Sequence, residues 1–475
     1  MSRHEAIARS VAYLDDGHYQ QTLARRIAQR TESQDPTRRA ALVSYLRDEI
    51  APALRALGFG CELIDAPDPQ GPPFLLAERL EPGARLTVLS YGHGDVVRGL
   101  EGQWRDGRDP WTLAAHAGRW YGRGTADNKG QHSVNLAALE QVIAVRGGRL
   151  GYNVKLIFEM GEELGSPGLQ RVCAEHRARL GADLFLASDG PRVNARRPTL
   201  FLGSRGLCNF ELRVRLRVGD HHSGNWGGLL RNPGIRLAHA IASLVDARGR
   251  ILVPGLRPPQ LPSSVRAALH DIEIGGGPDD PAIDPQWGEP GLTPAERVIG
   301  WNSLEVLAFT TGNPARPVHA IPAQASAHCH LRFVVGSDAE HFVAHVRRHL
   351  DAHGFDDVTV HGADARMSAT RLDPDDAWVG WALRSMQRTT GQVPALLPNL
   401  GGSLPNDVFA QTLGLPTLWV PHSYPGCSQH APDEHLLVDV ARESLAIMAG
   451  LFWDLAEHGG AVVQERRDAV RGAPG

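Results

Sequence analysis

The sequence predicts an α/β fold, with a doubly wound, mainly parallel sheet that an α+β segment interrupts. Three observations support it. Short apolar runs alternate with helical patterns up to residue 203, strict polar/apolar alternation follows, and the first pattern returns near residue 372. We therefore expect 1–203 and 372–475 to form one domain and 204–371 to form an insert.

The strands of the first domain are predicted by continuous apolar runs at 86–91, 154–158 and 184–187, typical of strands buried on both faces. A helix is predicted between the first two, because apolar residues recur at helical spacing from Val134 to Val145. The last helix is predicted to end near Ala456, before a polar tail.

The insert is predicted from a different pattern. Residues 210–218 and 325–333 alternate strictly between apolar and polar, which describes strands with one buried and one wet face. Helices are expected near 235–245 and 339–350. Between Pro254 and Pro294 prolines are so frequent that we expect a long irregular segment.

Composition excludes several classes of protein. The chain has 475 residues, 42% hydrophobic and 21% charged, with a net charge of -4, which argues against disorder and against nucleic acid as a partner. No apolar run approaches the roughly 20 residues of a membrane span, and the first residues lack a signal-peptide core. The five cysteines are scattered without a CxxC pair, as is typical of proteins in a reducing compartment. From these observations together we expect a cytoplasmic protein that contacts no membrane.

Potential metal ligands follow the predicted strands. They are His93, Asp127, Glu162 with Glu163, Asp189 and His430. The carboxyl ends of strands in an open α/β sheet meet at one edge, where sites assemble. Two imidazoles and three carboxylates, one of them bridging, supply three ligands to each of two divalent ions.

Each motif also has a simpler explanation. His93 with Asp95 could be a strand end followed by a surface turn, whereas in a metal site Asp95 would accept the far ring proton and orient the imidazole. The glutamate pair could be a solvated helix start, and Asp127 could be a helix N-cap. Their order and spacing together favour the metal site.

The ordered motifs resemble a known family. They are HGD (93–95), GRGTADNKG (122–130), FEMGEELGSPGL (158–169), SDG (188–190), DHHSGNWGG (220–228) and SQHAPDE (428–434). Together they resemble the dinuclear zinc peptidases and amidohydrolases, which include carnosinase-type dipeptidases, aminoacylases, acetylornithine deacetylase and succinyl-diaminopimelate desuccinylase. DHHSGNWGG and Gly401-Gly402-Ser403 make the cytosolic dipeptidase branch the most similar one.

The resemblance implies a division of the metal ligands. Carried over by position, His93 and Asp189 hold one ion, Glu163 and His430 hold the other, and Asp127 bridges both. Zinc is the expected metal, and manganese or cobalt would suit the same ligands. Glu162 is implied to be the general base for a metal-bridged water, and the Asp127–Asn128 peptide bond is implied to be cis.

The resemblance also implies a substrate and a partner. The substrate would be a dipeptide or, alternatively, an N-acyl amino acid, hydrolysed at its amide bond. Arg332 would grip its carboxylate together with Gly401, Gly402 and Ser403. His222, in an insert that serves as a lid and dimerisation domain, would stabilise the oxyanion in the partner site of a homodimer. His319 departs from the asparagine that many relatives carry.

Other interpretations stay open at this stage. His222 could belong to a polar turn, and Arg332 could be a surface arginine. A non-catalytic scaffold and a two-metal phosphoesterase are further possibilities, although every ligand and Glu162 are present and no phosphate-binding loop is recognisable.

Overall fold

The structure is a computed structural model that describes residues 1–68, 71–277 and 280–472, without the side chains of 363–366 and 470–472. The helices are α1 (Arg3–Asp15), α2 (His18–Ile27), α3 (Arg39–Ser44), α4 (Ala51–Ala56), α5 (Lys129–Val145), α6 (Leu169–Glu175), α7 (Arg177–Leu180), α8 (Ser223–Trp226), α9 (Pro233–Leu244), α10 (Ser263–Ala268), α11 (Pro294–Ile299), α12 (Phe342–Ala352), α13 (Ala377–Thr390) and α14 (Val438–Gly472). The strands are β1 (Gly60–Ile64), β2 (Phe74–Arg79), β3 (Thr87–His93), β4 (Ala114–His116), β5 (Arg119–Tyr121), β6 (Asn153–Glu159), β7 (Leu184–Ala187), β8 (Thr199–Phe201), β9 (Gly206–Arg215), β10 (His221–His222), β11 (Ser303–Thr311), β12 (Ala320–Ile321), β13 (Gln324–Phe333), β14 (Val358–Met367), β15 (Ala395–Leu397), β16 (Thr417–Trp419) and β17 (His435–Leu437).

The central sheet has eight strands in the order β1-β2-β6-β3-β7-β16-β8-β15. Its middle, from β6 to β16, is parallel, and β1 and β2 run antiparallel at one edge. The predicted strands at 86–91, 154–158 and 184–187 are β3, β6 and β7. The mainly parallel α/β prediction is therefore confirmed.

Helices cover both faces of this sheet. Val88 and Leu156 point into a core shared with α5, α13 and α14, whereas their neighbours Leu89 and Ile157 point into a second core shared with α6, α10 and α11. Apolar residues at consecutive strand positions are thus all buried, which explains why these strands read as continuous apolar runs.

The insert forms a separate four-stranded antiparallel sheet in the order β11-β13-β9-β14. Its apolar face packs against α9 and α12, and α9 begins where Asn232 Oδ1 accepts hydrogen bonds from the N–H groups of Gly234 and Ile235. The two segments that connect the central domain to the insert run side by side, since the N–H group of Thr370 donates to the carbonyl oxygen of Ser204 at 3.0 Å. The boundaries at 203/204 and 371/372 stay predictions.

Gly203 is required at this crossing for steric reasons. A Cβ at this position would lie 2.1 Å from the carbonyl oxygen of Thr370. Only glycine allows the two connecting segments to approach so closely.

Three sequence predictions were wrong in detail. β9 ends at Arg215, and Val218 is exposed, because the chain turns at Gly219. The proline-rich stretch contains the helix α10, which buries Val265. α14 continues to Gly472, because the supposed tail is rich in good helix formers and still buries Val462. None of the helices in the described ranges is long and apolar enough to cross a membrane.

Candidate active site

The candidate ligands converge because their strands are neighbours. His93 ends β3, Glu162 and Glu163 follow β6 in a single 3-10 turn, and Asp189 follows β7. These three strands are parallel and adjacent, so their carboxyl ends meet at one edge. The loop before α5 brings Asp127 to the same edge.

Two groups of three ligands share Asp127. His93, Asp127 and Asp189 form one group, and Asp127, Glu163 and His430 form the other, with ligand atoms within 4.8 Å of one another in each. His93 Nε2 lies 2.9 Å from Asp127 Oδ1, and His430 Nε2 lies 3.0 Å from Asp127 Oδ2. The two oxygens of Asp127 therefore face different histidines, as a bridging carboxylate requires.

Asp95 supports three members of this site. Nδ1 of His93 lies 3.4 Å from Asp95 Oδ1 and 3.1 Å from the Asp95 carbonyl oxygen, which leaves Nε2 facing the ligand group. The same carboxylate accepts hydrogen bonds from the backbone N–H groups of Glu162 and Glu163, both at 3.2 Å. Asp95 thus fixes the ring of His93 and the turn that carries the two glutamates.

Glu434 holds the loop that carries Asp127. Its carboxylate accepts hydrogen bonds from the backbone N–H groups of Gly124, Ala126 and Asp127 at 2.9 to 3.1 Å. Arg123 Nη1 donates to it at 2.7 Å, and both side chains are buried. Sequence reasoning did not assign Glu434 a role, although it ends the SQHAPDE motif.

The peptide bond after Asp127 belongs to a loop that other residues hold in place. The Asp127–Asn128 peptide bond is cis, as the resemblance implied. Asn128 Nδ2 donates to the carbonyl of Ser188 at 2.9 Å, which connects this loop to the segment that carries Asp189. The Ser188 hydroxyl in turn donates to Asn135 Oδ1 at 3.0 Å.

Several carboxylates lie close together in this site and are largely removed from solvent. Burial raises the pKa of Glu162 well above its ordinary value, and neighbouring carboxylates raise it further, against the opposing effect of His93. Burial also raises the pKa of Glu163 to about 7, with Asp127 adding to the rise. Both shifts describe carboxylates that lack enough positive charge around them, which bound cations supply.

Two buried oxygens indicate where cations fit. Within the described residues, Glu163 Oε1 and Asp189 Oδ2 have no well-formed hydrogen bond, and Asp189 Oδ2 lies 3.4 Å from His93 Nε2. Buried carboxylate oxygens are rarely left without a donor or a cation. One such oxygen belongs to each group of three, so imidazole and carboxylate ligands suited to a divalent metal are available in both.

A cavity of about 510 Å³ adjoins the two groups. Its lining includes Asp127, Glu162, Asp189 and His430, together with four residues singled out from the sequence: Arg332, Gly401, Gly402 and Ser403. Arg332 Nη1 donates to Ser403 Oγ at 2.9 Å, and that hydroxyl donates to the carbonyl of Arg205 at 2.7 Å. Arg332 and Ser403 are therefore in contact, and the expected substrate-holding residues line the same cavity as the candidate ligands.

His222 lies elsewhere on the chain. It belongs to the two-residue strand β10, it is exposed, and its Nδ1 accepts a hydrogen bond from Gly224 N at 3.1 Å. It is not among the described residues that line the cavity. Within one chain, the structure does not bring His222 to the other site residues.

The sequence comparison decides the family. The model of peptidase family M20/M25/M40 matches residues 89–454, a span that contains every candidate ligand. The chain belongs to this family. Metal-dependent peptidases are therefore its relatives, and divalent metal is the cofactor that the two ligand groups suit.

Individual relatives agree with this assignment. The chain is 35% identical over 271 residues to the Beta-Ala-His dipeptidase of Mus musculus, which is 54% of each chain. It therefore spans about half the length of that relative. It is 30% identical to the Cysteinylglycine-S-conjugate dipeptidase of Corynebacterium striatum over 69% of this chain and 72% of the other. The solved dipeptidase Dug1p from Saccharomyces cerevisiae shares the fold, with a TM-score of 0.80, 23% identity and coverage of 96% and 99%.

Sequence reasoning missed two further residues of the site. Arg205 lines the cavity, and its Nε donates to the carbonyl of Gly401 at 2.7 Å, so it shapes the loop beside Ser403. Gln429 Nε2 donates to Asp127 Oδ2. The position of Gln429 directly before His430 could have indicated that it belongs to the site, whereas no sequence pattern indicated Arg205.

Proposed function

We propose that this protein is a metal-dependent dipeptidase that holds two divalent ions, most suitably zinc. The observation that carries the proposal is the sharing of Asp127 between two groups, each with one imidazole and one further carboxylate. His93 and Asp189 would hold one ion, Glu163 and His430 the other. Metal ions at these positions would polarise the scissile carbonyl and activate water.

Glu162 is the proposed general base. It lines the cavity beside Asp127 and Asp189, and its backbone is fixed by Asp95. It accepts a proton from the attacking water and donates that proton to the nitrogen of the departing amine. A carboxyl group can make both transfers because the same oxygen serves as acceptor and then as donor.

Arg332 and Ser403 are proposed to bind the substrate carboxylate. Within the described residues Arg332 has no carboxylate partner, and its guanidinium donates to Ser403 Oγ. A half-buried guanidinium without a counter-ion favours an anionic ligand, and its planar donors fit a carboxylate. The backbone N–H groups of Gly401, Gly402 and Ser403 are proposed to add to this site.

We propose a homodimer in which the insert, 204–371, acts as lid and dimerisation domain and His222 reaches the partner's site. The surface around His222 supports this arrangement. Trp226, Leu229 and Ile235 are exposed near it, and the edge strand β11 exposes Leu307 and Phe309. Apolar residues beside an unpaired strand edge are suited to a second copy related by a two-fold axis.

A cytoplasmic location is part of the proposal. The five cysteines are all free thiols in the structure. Free thiols that are mostly buried suit a reducing compartment.

The proposal is tested by a metal-loaded screen of dipeptides against N-acyl amino acids, with release of a free amino group as the readout. We expect dipeptides to be hydrolysed, chelation to abolish turnover, and divalent ions to restore it. Hydrolysis of N-acyl amino acids alone would favour the amidohydrolase alternative. A fully active protein with less than one metal ion per chain would contradict the two-metal site.

A further inference from the structure

A second cavity lies beside the one described above. It has a volume of about 430 Å³, within the roughly 300 to 1,000 Å³ of small-molecule sites. It is built largely by the proline-rich stretch and α11, to which no function has so far been attached. Its apolar lining includes Trp287, Val298 and Trp301, and the carboxylates of Asp284, Glu289 and Glu305 also line it.

The walls of this cavity are held by specific contacts. Arg297 donates from Nη1 to the carbonyls of Pro285 and Trp287, and from Nε to the carbonyl of Glu289. The loop that closes one side is therefore fixed by three hydrogen bonds to one guanidinium. Ile283, Trp287 and Val298 are nonetheless exposed, which is an unusual concentration of large apolar side chains at a surface.

The two cavities share a boundary. Arg205, Ile274 and Val298 line both of them. Arg205 Nε donates to Gly401 O on the side of the first cavity, and its Nη1 donates to Trp301 O and Ser303 Oγ on the side of the second. The boundary therefore lies next to Ser403, whose hydroxyl donates to the Arg205 carbonyl.

This position relates the second cavity to the substrate. The α-carbon of a C-terminal residue is bonded directly to the carboxylate, so a carboxylate held by Arg332 and Ser403 places the side chain beside Arg205. Ile274 and Val298 line both cavities, so a long side chain that extends past them from this corner would enter the second cavity.

We propose that the second cavity binds the side chain of the substrate's C-terminal residue, and that the preferred substrates are dipeptides ending in a large aliphatic or aromatic residue. This inference rests on the dipeptidase activity proposed above. Burial of the apolar side chain among Trp287, Trp301 and the neighbouring aliphatic residues provides the selectivity.

The test compares Ala-Gly, Ala-Ala, Ala-Leu and Ala-Phe as substrates of the metal-loaded protein. We expect kcat/KM to rise about 10- to 100-fold from Ala-Gly to Ala-Phe. Ala282→Trp places a large side chain on an exposed wall of the cavity and should lower the Ala-Phe to Ala-Gly ratio about tenfold. Ala352→Trp, at an exposed helix end away from both cavities, is the matched control and should leave the ratio unchanged.

The outcomes separate this inference from the proposed activity. Hydrolysis of Ala-Gly with no preference for Ala-Phe, or a ratio that Ala282→Trp leaves unchanged, would overturn the inference alone. If no dipeptide is hydrolysed, calorimetric titration of the protein with L-phenylalanine and glycine decides the question without turnover. Tighter binding of phenylalanine that Ala282→Trp weakens supports the cavity's role, and equal binding of the two amino acids rejects it.

Discussion

Replacing Glu434 by glutamine tests whether the loop before α5 must be held for metal to bind. The carboxylate accepts three backbone N–H groups and the guanidinium of Arg123, and its side chain is 1% exposed. Glutamine keeps one acceptor oxygen, and its amide N–H groups would face donors. Removal of one partner of a buried ion pair costs about 3 to 5 kcal/mol.

The variant should therefore lose about 3 to 5 kcal/mol of unfolding free energy, measured by urea denaturation of the metal-free protein. Its affinity for the metal should fall about 10- to 100-fold, since a displaced Asp127 weakens both ligand groups. Metal content after dialysis against graded chelator concentrations measures this change.

Asp454→Asn is the matched control. Asp454 is as deeply buried and accepts from Arg3, Ser385 and Arg388, but it lies on α14 away from the cavity. This variant should lose comparable stability and keep its metal affinity. A Glu434→Gln protein that binds metal as tightly as the wild type would refute the idea that this carboxylate positions Asp127.

Three further predictions concern individual roles. Glu162→Gln should keep its metal content while kcat falls at least about 100-fold, whereas Glu163→Gln should lose metal. Metal analysis of the purified variants measures this difference, and equal metal loss in both would contradict the assigned roles. Mixing Glu162→Gln with His222→Ala should restore about a quarter of wild-type activity once subunit exchange is verified, because half of the dimers are mixed and one of their two sites is intact. No recovery of activity would exclude action of His222 across the dimer. Arg332→Met should raise KM for dipeptides about 10- to 100-fold and change KM for the corresponding dipeptide amides much less, and a similar rise for both substrates would argue against a carboxylate-binding role.

The sequence was informative where one principle governs the structure. β3, β6 and β7 are buried on both faces, so apolar runs identified them, and the rule that parallel strands end at one edge placed His93, Glu163 and Asp189 together. Asp127 and His430 were also predicted to follow strands directly, but each comes after a longer loop, and the family resemblance supplied their division between the two ions.

The rest depends on contacts between distant parts of the chain. Nothing local to Arg205 indicates that its guanidinium connects Gly401 to Trp301, and nothing local to Glu434 indicates three backbone partners near residue 125. α14 was predicted too short because the residues after Ala456 form a polar tail, although packing of α14 against α1 and α5 supports the continuing helix.

The contact between Asp127 N and Glu434 Oε1 joins residues that are 307 positions apart in the sequence. During translation at about 5 to 20 residues per second, this gap corresponds to about 15 to 60 seconds. For most of that time, once Asp189 has been made, the nascent chain carries His93, Asp127, Glu163 and Asp189 but neither His430 nor the Glu434 carboxylate that holds Asp127. A chain that stops before residue 430 therefore lacks a complete second ligand group, and both groups can form only after His430 has been made.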